Sequence, residues 1–245
     1  MKILVCISQA PDTTSRIAFT DGDTAFDSSG VQYIVNPYDE WYALVRAIEL
    51  KEQQGGTVTT ITIGEAACDP IIRKALAIGA DDAIRVNATP EDSMQVAQLI
   101  SEHAKAGEFD AILCGKETID HNGSVVPAMV AELLDLPFVA LATSLEVENG
   151  IAKMTREVSG GEESVEVALP FVASASKGMA EQRIPNMRGI MSARSKPLNV
   201  AEASADAPTS VSKFTLPPEK VACKMIDADR PEELIRLLRE EAKAI

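Results

Sequence analysis

The chain has 245 residues, of which 46% are hydrophobic and 4% aromatic, so disorder is excluded for most of it and its core must be aliphatic. Its formal net charge of −14 argues against nucleic-acid binding, because that binding needs clustered Lys and Arg. The charge still permits a nucleotide ligand, because backbone amides at the start of a helix bind phosphate without any net positive charge.

Strands and helices alternate along the first half of the chain. Short apolar runs predict strands over residues 2–8, 57–63, 83–86 and 111–114. Amphipathic stretches predict helices over residues 37–54, 68–78, 93–106 and 126–134. This alternation with short connections is typical of βαβ units, so we predict an α/β fold with a doubly wound, mostly parallel, Rossmann-like sheet.

Turn and cap residues mark the ends of several of these elements. Asp21-Gly22-Asp23, in a polar stretch over residues 12–29, predicts a small hairpin. Asn36 is expected to cap the first helix, with Pro37 in the first turn and acidic residues beside the positive end of the helix dipole. Gly79 is predicted to end the second helix in the left-handed conformation.

The pattern changes at residue 138. Strand-like runs cover residues 139–147, 151–158 and 164–173, and turn residues at 148–150 and 159–161 join them. Two hairpin turns in succession indicate antiparallel additions to the sheet.

The C-terminal part is irregular. Residues 183–196 are basic and rich in Pro, Gly and Met, and residues 197–218 are rich in Ala, Ser, Thr and Pro without periodicity. A last helix with apolar residues along one face is predicted over about residues 230–244. We therefore expect an α/β domain over residues 1–196 and an extended arm over residues 197–245 that docks on a partner chain.

Familiar catalytic motifs are missing from the sequence. No Gly-rich dinucleotide fingerprint follows the first strand, and neither a P-loop nor a nucleophile elbow occurs. Four cysteines without a CxxC pair and only two histidines give no zinc site of ordinary spacing. The chain starts directly with a strand and has no apolar run long enough to span a bilayer. We expect a cytoplasmic protein with no catalytic residue, no metal and no membrane insertion.

Three segments fall at the carboxyl ends of predicted strands, where doubly wound sheets bind ligands. They are the end of the first strand from Cys6 to Gln9, the helix start at residues 36–39, and the polar loop over residues 115–124. Gly115 and Gly123 permit close backbone approach, and the amides that follow Gly123 could cradle phosphate oxygens. On its spacing alone, an ordinary strand–loop–helix connection explains the loop equally well.

A set of motifs resembles the beta subunit of electron-transfer flavoproteins over residues 1–197, and the arm follows more loosely. The motifs are Asn36-Pro37-Tyr38-Asp39-Glu40, residues 73–81, Gly115-Lys116 with Ile119-Asp120, residues 153–173 and residues 183–194. One of these motifs alone would be weak, whereas all of them in this order are a strong resemblance.

The resemblance implies a heterodimer with an alpha subunit that holds the redox-active FAD, and a function in carrying electrons from dehydrogenases to an acceptor. It implies AMP in this subunit of simple members, and a second FAD with NADH oxidation in electron-bifurcating members. It assigns the pocket to Cys6, Asn36, Pro37, Tyr38, Asp39, Ile63, Gly115, Lys116, Glu117, Thr118, Ile119, Asp120, His121, Asn122, Gly123, Ser124, Val125 and Val126. The alternative outside the family is a monomeric nucleotide-sensing module of similar fold.

The phosphate loop departs from the family pattern. Many relatives have Asn-Gln-Thr or Ala-Gln-Val where this chain has Ser124-Val125-Val126, and a Gly where it has Pro127. The missing Gln removes a hydrogen-bond donor to phosphate, and Pro removes a backbone amide. Lys116, Ser124 and the remaining amides are left to hold a phosphate, so AMP, a second FAD and an empty pocket all stay open.

The resemblance also assigns a partner recognition loop. It consists of Arg183, Ile184, Pro185, Asn186, Met187, Arg188, Gly189, Ile190, Met191 and Ser192. Met187 stands where the family usually has an anchoring Leu, and a flexible Met can fill irregular apolar pockets on several partners. Arg183, Arg188 and Arg194 would steer the loop toward acidic dehydrogenase surfaces.

Overall fold

The computed structural model describes residues 1–36, 39–220 and 222–245. The strands are β1 (Lys2–Cys6), β2 (Gln9–Pro11), β3 (Phe19–Thr20), β4 (Ala25–Phe26), β5 (Tyr33–Val35), β6 (Thr57–Ile63), β7 (Asp82–Asn87), β8 (Ala111–Gly115), β9 (Phe138–Glu148), β10 (Ile151–Val158), β11 (Gly161–Ala168), β12 (Phe171–Ala175) and β13 (Leu198–Glu202). The helices are α1 (Asp39–Gln54), α2 (Asp69–Ile78), α3 (Ser93–Gly107), α4 (Val126–Leu134), α5 (Met187–Ala193) and α6 (Pro231–Glu240), and a short 3-10 helix covers Ala66–Cys68.

Nine strands form one sheet in the order β11-β10-β9-β12-β8-β1-β6-β7-β13. From β9 to β13 in this order neighbouring strands are parallel, while β10 is antiparallel to β9 and β11. The predicted α/β sheet, mostly parallel with hairpin additions, is therefore confirmed. The chain runs from β1 outward to β6 and β7, and then returns to β8 on the other side of β1. The strand order thus reverses between β1 and β8.

Helices cover both faces of the central strands. Ile3 and Val5 of β1 belong to the apolar cluster that includes α1 and α2, whereas Leu4 and Cys6 belong to the cluster that includes α3 and α4. This alternation follows from the two-residue period of a strand. Because both faces are covered, β8 and β12 are buried along their whole length.

Three boundaries differ from the predictions. The strand predicted over residues 164–173 is two strands, β11 and β12, because Pro170 between them lacks the N–H that a central ladder requires. Gly79 does end α2, and its N–H bonds to the carbonyl of Ala75, but its φ of 153° lies outside the left-handed helical region. The first strand ends at Cys6, after which β2 turns away to pair with β5.

The predicted start of the first helix falls partly outside the described residues. The described part of α1 begins at Asp39, and the side-chain Nδ2 of Asn36 donates to the backbone carbonyl of Glu117 at 2.6 Å. Pro37 and Tyr38, which were predicted at this helix start, lie outside the described residues. The hairpin predicted around residues 21–23 is confirmed as the pair of β3 and β4.

The residues after 197 pack partly on the rest of the chain. β13 adds an edge strand parallel to β7, which the unperiodic composition did not predict. Asp92 accepts hydrogen bonds from the backbone N–H and the hydroxyl of Thr209, at 2.9 and 2.7 Å. The ring of Phe214 stacks on that of Phe19, with their centroids 4.8 Å apart. Residues 198–214 therefore lie along α3 and the β3–β4 hairpin.

The last helix, α6, confirms the prediction of a helix near the C-terminus. Leu237 is buried, whereas Leu234 and Ile235 are exposed. An apolar face is thus only partly covered by the chain itself. Among the described residues, every helix is too short or too polar to cross a bilayer.

Candidate functional site

The space outside the carboxyl ends of the neighbouring strands β1 and β8 lies where the strand order reverses. In open α/β sheets this is the position at which ligands bind. Its boundaries are Cys6 at the end of β1, the start of α1 at Asp39, Asn36, and the loop after Gly115 at the end of β8. We call this space the cleft. It brings together the three segments that the sequence placed at strand ends.

Gly115 allows the floor of the cleft to close. A Cβ atom on this residue would lie 2.8 Å from Cγ and 2.9 Å from the backbone N of Glu40, and 3.1 Å from Cβ of Asp39. These distances are too short for any other residue, so the absence of a side chain lets α1 begin directly against the end of β8.

Glu40 is a buried carboxyl beneath the cleft. The backbone N–H of Ser8 donates to its Oε2 at 2.7 Å, and the Ser8 hydroxyl donates to its Oε1. Burial raises the pKa of Glu40 to about 8, although the hydrogen bonds from Ser8 oppose this shift. Ser8 lies in the first of the three segments that the sequence analysis singled out, whereas Glu40 was not assigned to the pocket. An acid in the first turn of an otherwise apolar helix was the available signal.

Asp39 is buried beside it. Burial raises the pKa of Asp39 to about 6, while the nearby ammonium of Lys116 opposes the shift. Two neighbouring carboxyls with raised pKa values therefore lie at the start of α1. Both shifts have burial as their largest cause, so the start of α1 is a place that disfavours negative charge.

Asn36 supplies an unused acceptor in the same place. It is fully buried, and its Nδ2 bond to Glu117 fixes its orientation. Its Oδ1 has no hydrogen-bond partner among the described residues. A buried acceptor of this kind is normally satisfied, so a donor from a ligand, such as an adenine amino group or a ribose hydroxyl, fits here.

Cys6 and Ile63 are the last residues of the neighbouring parallel strands β1 and β6. Cys6 is buried, and a hydrogen bond with the thiol of Cys114 together with burial raises the pKa of Cys6 well above its ordinary value. It is therefore a thiol that packs as a small apolar group. Ile63, at the end of β6, packs against the same cluster as Cys6.

The loop after β8 carries the polar residues that the sequence assigned to phosphate. Asn122 and Ser124 have φ values of 48° and 53°, in the left-handed region. The Ser124 hydroxyl donates to Oε2 of Glu117 at 3.0 Å, and Nζ of Lys116 lies 3.7 Å from Oε1 of Glu117. Thr118, Ile119, Asp120, His121 and Gly123 complete this loop, and Val125 and Val126 lead into α4. His121 pairs with Asp120 at 3.9 Å.

The two ends of the cleft differ in how well they fit an adenine nucleotide. The inner end offers apolar surface and the free acceptor of Asn36, which suit an adenosine group. At the outer end, both side chains available for a phosphate already contact the carboxylate of Glu117. A phosphate bound by these two side chains would therefore have to displace Glu117.

A second surface is formed by residues 183–196, which we call the docking segment. Asn186 caps α5 by accepting a hydrogen bond from the backbone N–H of Gly189 at 2.8 Å. The recognition loop was predicted as irregular, and this cap explains why part of it is helical. Its large apolar residues face solvent, with Ile184 79%, Met187 74% and Met191 61% exposed. Exposed apolar residues grouped in this way are typical of protein-binding surfaces.

The docking segment is fixed to α2. A Cβ on Gly189 would lie 2.3 Å from the backbone carbonyl of Ala77, so α5 packs directly against the backbone of α2. Nη1 of Arg73 donates to the carbonyls of Ala193 and Lys196, at 2.8 and 2.7 Å. The Lys196 ammonium donates in turn to two carbonyls at the end of α2.

The other end of the docking segment is tied to α1. Arg183 forms a bidentate ion pair with Glu52, at 2.8 and 3.1 Å. This hydrogen-bonded pair lowers the pKa of Glu52. Between α2 and α5 lies a groove of ≈ 520 Å³ with Arg73, Lys74 and Arg194 among its lining residues. The sequence analysis missed Arg73 and Lys196 as supports, because contacts 120 or more residues apart leave no local pattern.

Comparison with known proteins gives the family. The model of the electron transfer flavoprotein domain matches residues 23–206, which is most of the chain. The chain belongs to the electron transfer flavoprotein family. The electron transfer flavoprotein subunit beta of Bacillus subtilis is 36% identical over 260 aligned positions, which cover 100% of both chains. The subunit of the same name from Syntrophomonas wolfei is 40% identical, covering 99% of this chain and 96% of the relative.

The similarity to beta subunits extends beyond bacteria. The human electron transfer flavoprotein subunit beta is 29% identical over 98% of this chain and 97% of its own. The resemblance stated from the motifs is therefore confirmed, and electron transfer is the role of the electron transfer flavoprotein family to which the chain belongs. The ligand of the cleft, the partners of the docking segment and the cytoplasmic location remain predictions.

Proposed function

We propose that the chain is the beta subunit of a heterodimeric electron transfer flavoprotein that carries electrons from dehydrogenases to an acceptor. The observation that carries this proposal is the match to beta subunits over the whole length of both chains. The alpha subunit would hold the FAD, which accepts and donates the electrons when bound. This chain would contribute to the FAD cleft of the alpha subunit, hold a ligand in its own cleft and present the docking segment to partner proteins.

The cleft would hold an adenine nucleotide, with AMP as the expected ligand. Its adenosine part would lie against Cys6 and Ile63, with a donor directed to Oδ1 of Asn36. The amides at the start of α4, together with Lys116 and Ser124, would face the phosphate once Glu117 has moved aside. Arg and Lys side chains are otherwise scarce in the loop, so the backbone would contribute much of the phosphate binding.

The docking segment would bind flavin dehydrogenases. Met187 is the most exposed large apolar residue of α5. The neighbouring arginines place positive charge on this surface, although the net charge of the chain is strongly negative. The supports from Arg73 and Lys196 would reduce the entropy lost on binding, because the helix is already formed and fixed.

The C-terminal segment over residues 197–245 would bind the alpha subunit. Residues 198–214 pack on this chain, but Leu234 and Ile235 of α6 remain exposed. An amphipathic helix with an exposed apolar face suits docking on another chain.

The proposal is tested by co-expressing the chain with an alpha subunit and purifying the product. We expect a 1:1 yellow heterodimer whose flavin accepts electrons from a reduced flavin dehydrogenase. A chain that stays alone while the alpha subunit folds would contradict the proposal. Direct reduction of the complex by NADH would instead favour an electron-bifurcating flavoprotein with a second FAD in the cleft.

A further inference from the structure

The buried residue Asn36 holds the backbone of Glu117 through a hydrogen bond. Asn36 is fully buried, and its Nδ2 donates to the backbone carbonyl of Glu117 at 2.6 Å. The bond joins two segments 81 residues apart, so it fixes the first turn of the loop against the floor of the cleft. The backbone from which the Glu117 side chain extends is thus held by a buried hydrogen bond.

The carboxylate of Glu117 contacts both side chains that the loop offers to an anion, Ser124 and Lys116. One oxygen accepts from the hydroxyl of Ser124 at 3.0 Å, and the other lies 3.7 Å from the ammonium of Lys116. A hydroxyl donor and an ammonium at these distances are what a phosphate oxygen would bind. The Glu117 carboxylate thus occupies the position at which Ser124 and Lys116 would contact a ligand phosphate.

The surrounding charges add to this effect. Asp39 and Glu40 lie at the start of α1, and the charge of Asp120 raises the pKa of Glu40. Lys116 faces the carboxylates from the other side, and its charge opposes the raised pKa of Asp39. A phosphate that entered with Glu117 ionised would meet a like charge at hydrogen-bond distance, which is costly where water is partly excluded.

We propose that Glu117 determines ligand specificity in the cleft by taking the place of a ligand phosphate at Ser124 and Lys116. The cleft then binds an adenosine group well and penalises the phosphate attached to it. This inference rests on the proposed adenine-nucleotide function of the cleft and deepens it by naming the residue that discriminates between nucleoside and nucleotide.

The test compares AMP with adenosine. Binding of each is measured by calorimetry on the full-length chain in its complex with the alpha subunit, after dialysis to remove bound nucleotide. In Glu117→Gln, the affinity for AMP is expected to rise roughly tenfold, because one like charge near the phosphate is removed. The affinity for adenosine should change less than about twofold, because adenosine carries no charge to repel.

Glu132→Gln is the matched control, since it removes the same charge from an exposed position on α4. It should leave both affinities unchanged. Equal tightening of AMP and adenosine in Glu117→Gln, or no change for AMP, would overturn the role of Glu117 and leave the cleft intact. Failure of both ligands to bind either protein would reject the nucleotide function of the cleft, and the inference with it.

Discussion

The cleft and the docking segment differ in which side chains are buried: the cleft buries polar groups, whereas the docking segment exposes apolar ones. In the cleft, the chain buries Asn36, Asp39 and Glu40 and raises the pKa of both acids. In the docking segment, it exposes Ile184 and Met187, which an isolated domain would bury. Buried polar groups suit a small ligand, whereas exposed apolar groups suit a macromolecular surface.

The supports of the two regions also differ. The cleft depends on close packing, because Gly115 leaves no space between the end of β8 and the start of α1. The docking segment depends on hydrogen bonds from Arg73 and Lys196 to backbone carbonyls, plus one close contact at Gly189. The cleft should therefore respond to substitution with a loss of folding stability, and the docking segment mainly with a loss of partner binding.

The largest expected effect is at Gly115. Gly115→Ala places a Cβ against the backbone of Glu40 in a fully packed region, and we expect a loss of about 3 kcal/mol in unfolding free energy. Urea unfolding of the full-length chain measures it. Gly123→Ala is the control in the same loop, because its Cβ would meet neighbours only at 3.8 and 3.9 Å. Equal losses of unfolding free energy in the two variants would show that the close contact between Gly115 and Glu40 does not limit the side chain at this position.

The next effect is the pH dependence caused by Glu40. Its pKa is about 8 in the fold and 4.5 ordinarily, so the unfolded chain releases the proton first as pH rises. Unfolding free energy should therefore fall between about pH 4.5 and 8 and level off above pH 8. Asp39 contributes in the same direction up to about pH 6.

Glu40→Gln should remove most of this fall, because Gln resembles the protonated acid and can still bond to Ser8. Urea unfolding at pH 5, 7 and 8.5 compares the variant with the original chain. Glu132→Gln, at an exposed position, should retain the original slope. A Glu40→Gln variant with an unchanged slope would mean that Glu40 is ionised in the fold.

A smaller effect on stability is expected at Gly189. Gly189→Ala would press against the carbonyl of Ala77, but α5 is exposed and can move away, so we expect a loss of about 1 kcal/mol. The displaced helix should nevertheless weaken dehydrogenase binding. Thermal unfolding and the rate of flavin reduction by a dehydrogenase, measured on the same samples, separate the two effects. Full activity in this variant would show that the position of α5 is unimportant.

The smallest effect on folding should come from Met187. Met187→Ala removes a side chain that is 74% exposed, so unfolding free energy should change by less than about 0.5 kcal/mol. Affinity for a dehydrogenase should fall roughly tenfold, because a central apolar anchor is lost. Val158→Ala, on the edge hairpin, is a control at another exposed apolar residue. A stability loss without a binding loss would contradict the assignment.

The parts of the fold that depend on local pattern could be predicted from the sequence. The bounds of α4 and β6 follow from apolar periodicity and from the turn residues that flank them, and both agree with the structure. β13 could not be predicted, because an edge strand of five residues with exposed side chains has no hydrophobic pattern and depends on its neighbour β7. The helix α5 had one overlooked signal, the cap at Asn186.

The candidate site was predictable only as a position. Strand ends and glycines located the cleft, because topology determines where ligands bind in a doubly wound sheet. The contacts of Glu117 with Ser124 and Lys116 were not predictable, since they depend on the conformation of the loop after β8. The hydrogen bond from Arg73 to the carbonyl of Ala193 was likewise not predictable, because the two residues lie 120 positions apart in the sequence.

The central claim is that this chain is the beta subunit of an electron carrier with an adenine nucleotide in its own cleft. The most direct measurement is the number of FAD and AMP molecules released from the purified heterodimer with the alpha subunit. We predict one FAD and one AMP per heterodimer, with AMP retained more firmly in Glu117→Gln. Two FAD and no AMP, or one FAD with no nucleotide in either protein, would contradict this account of the cleft.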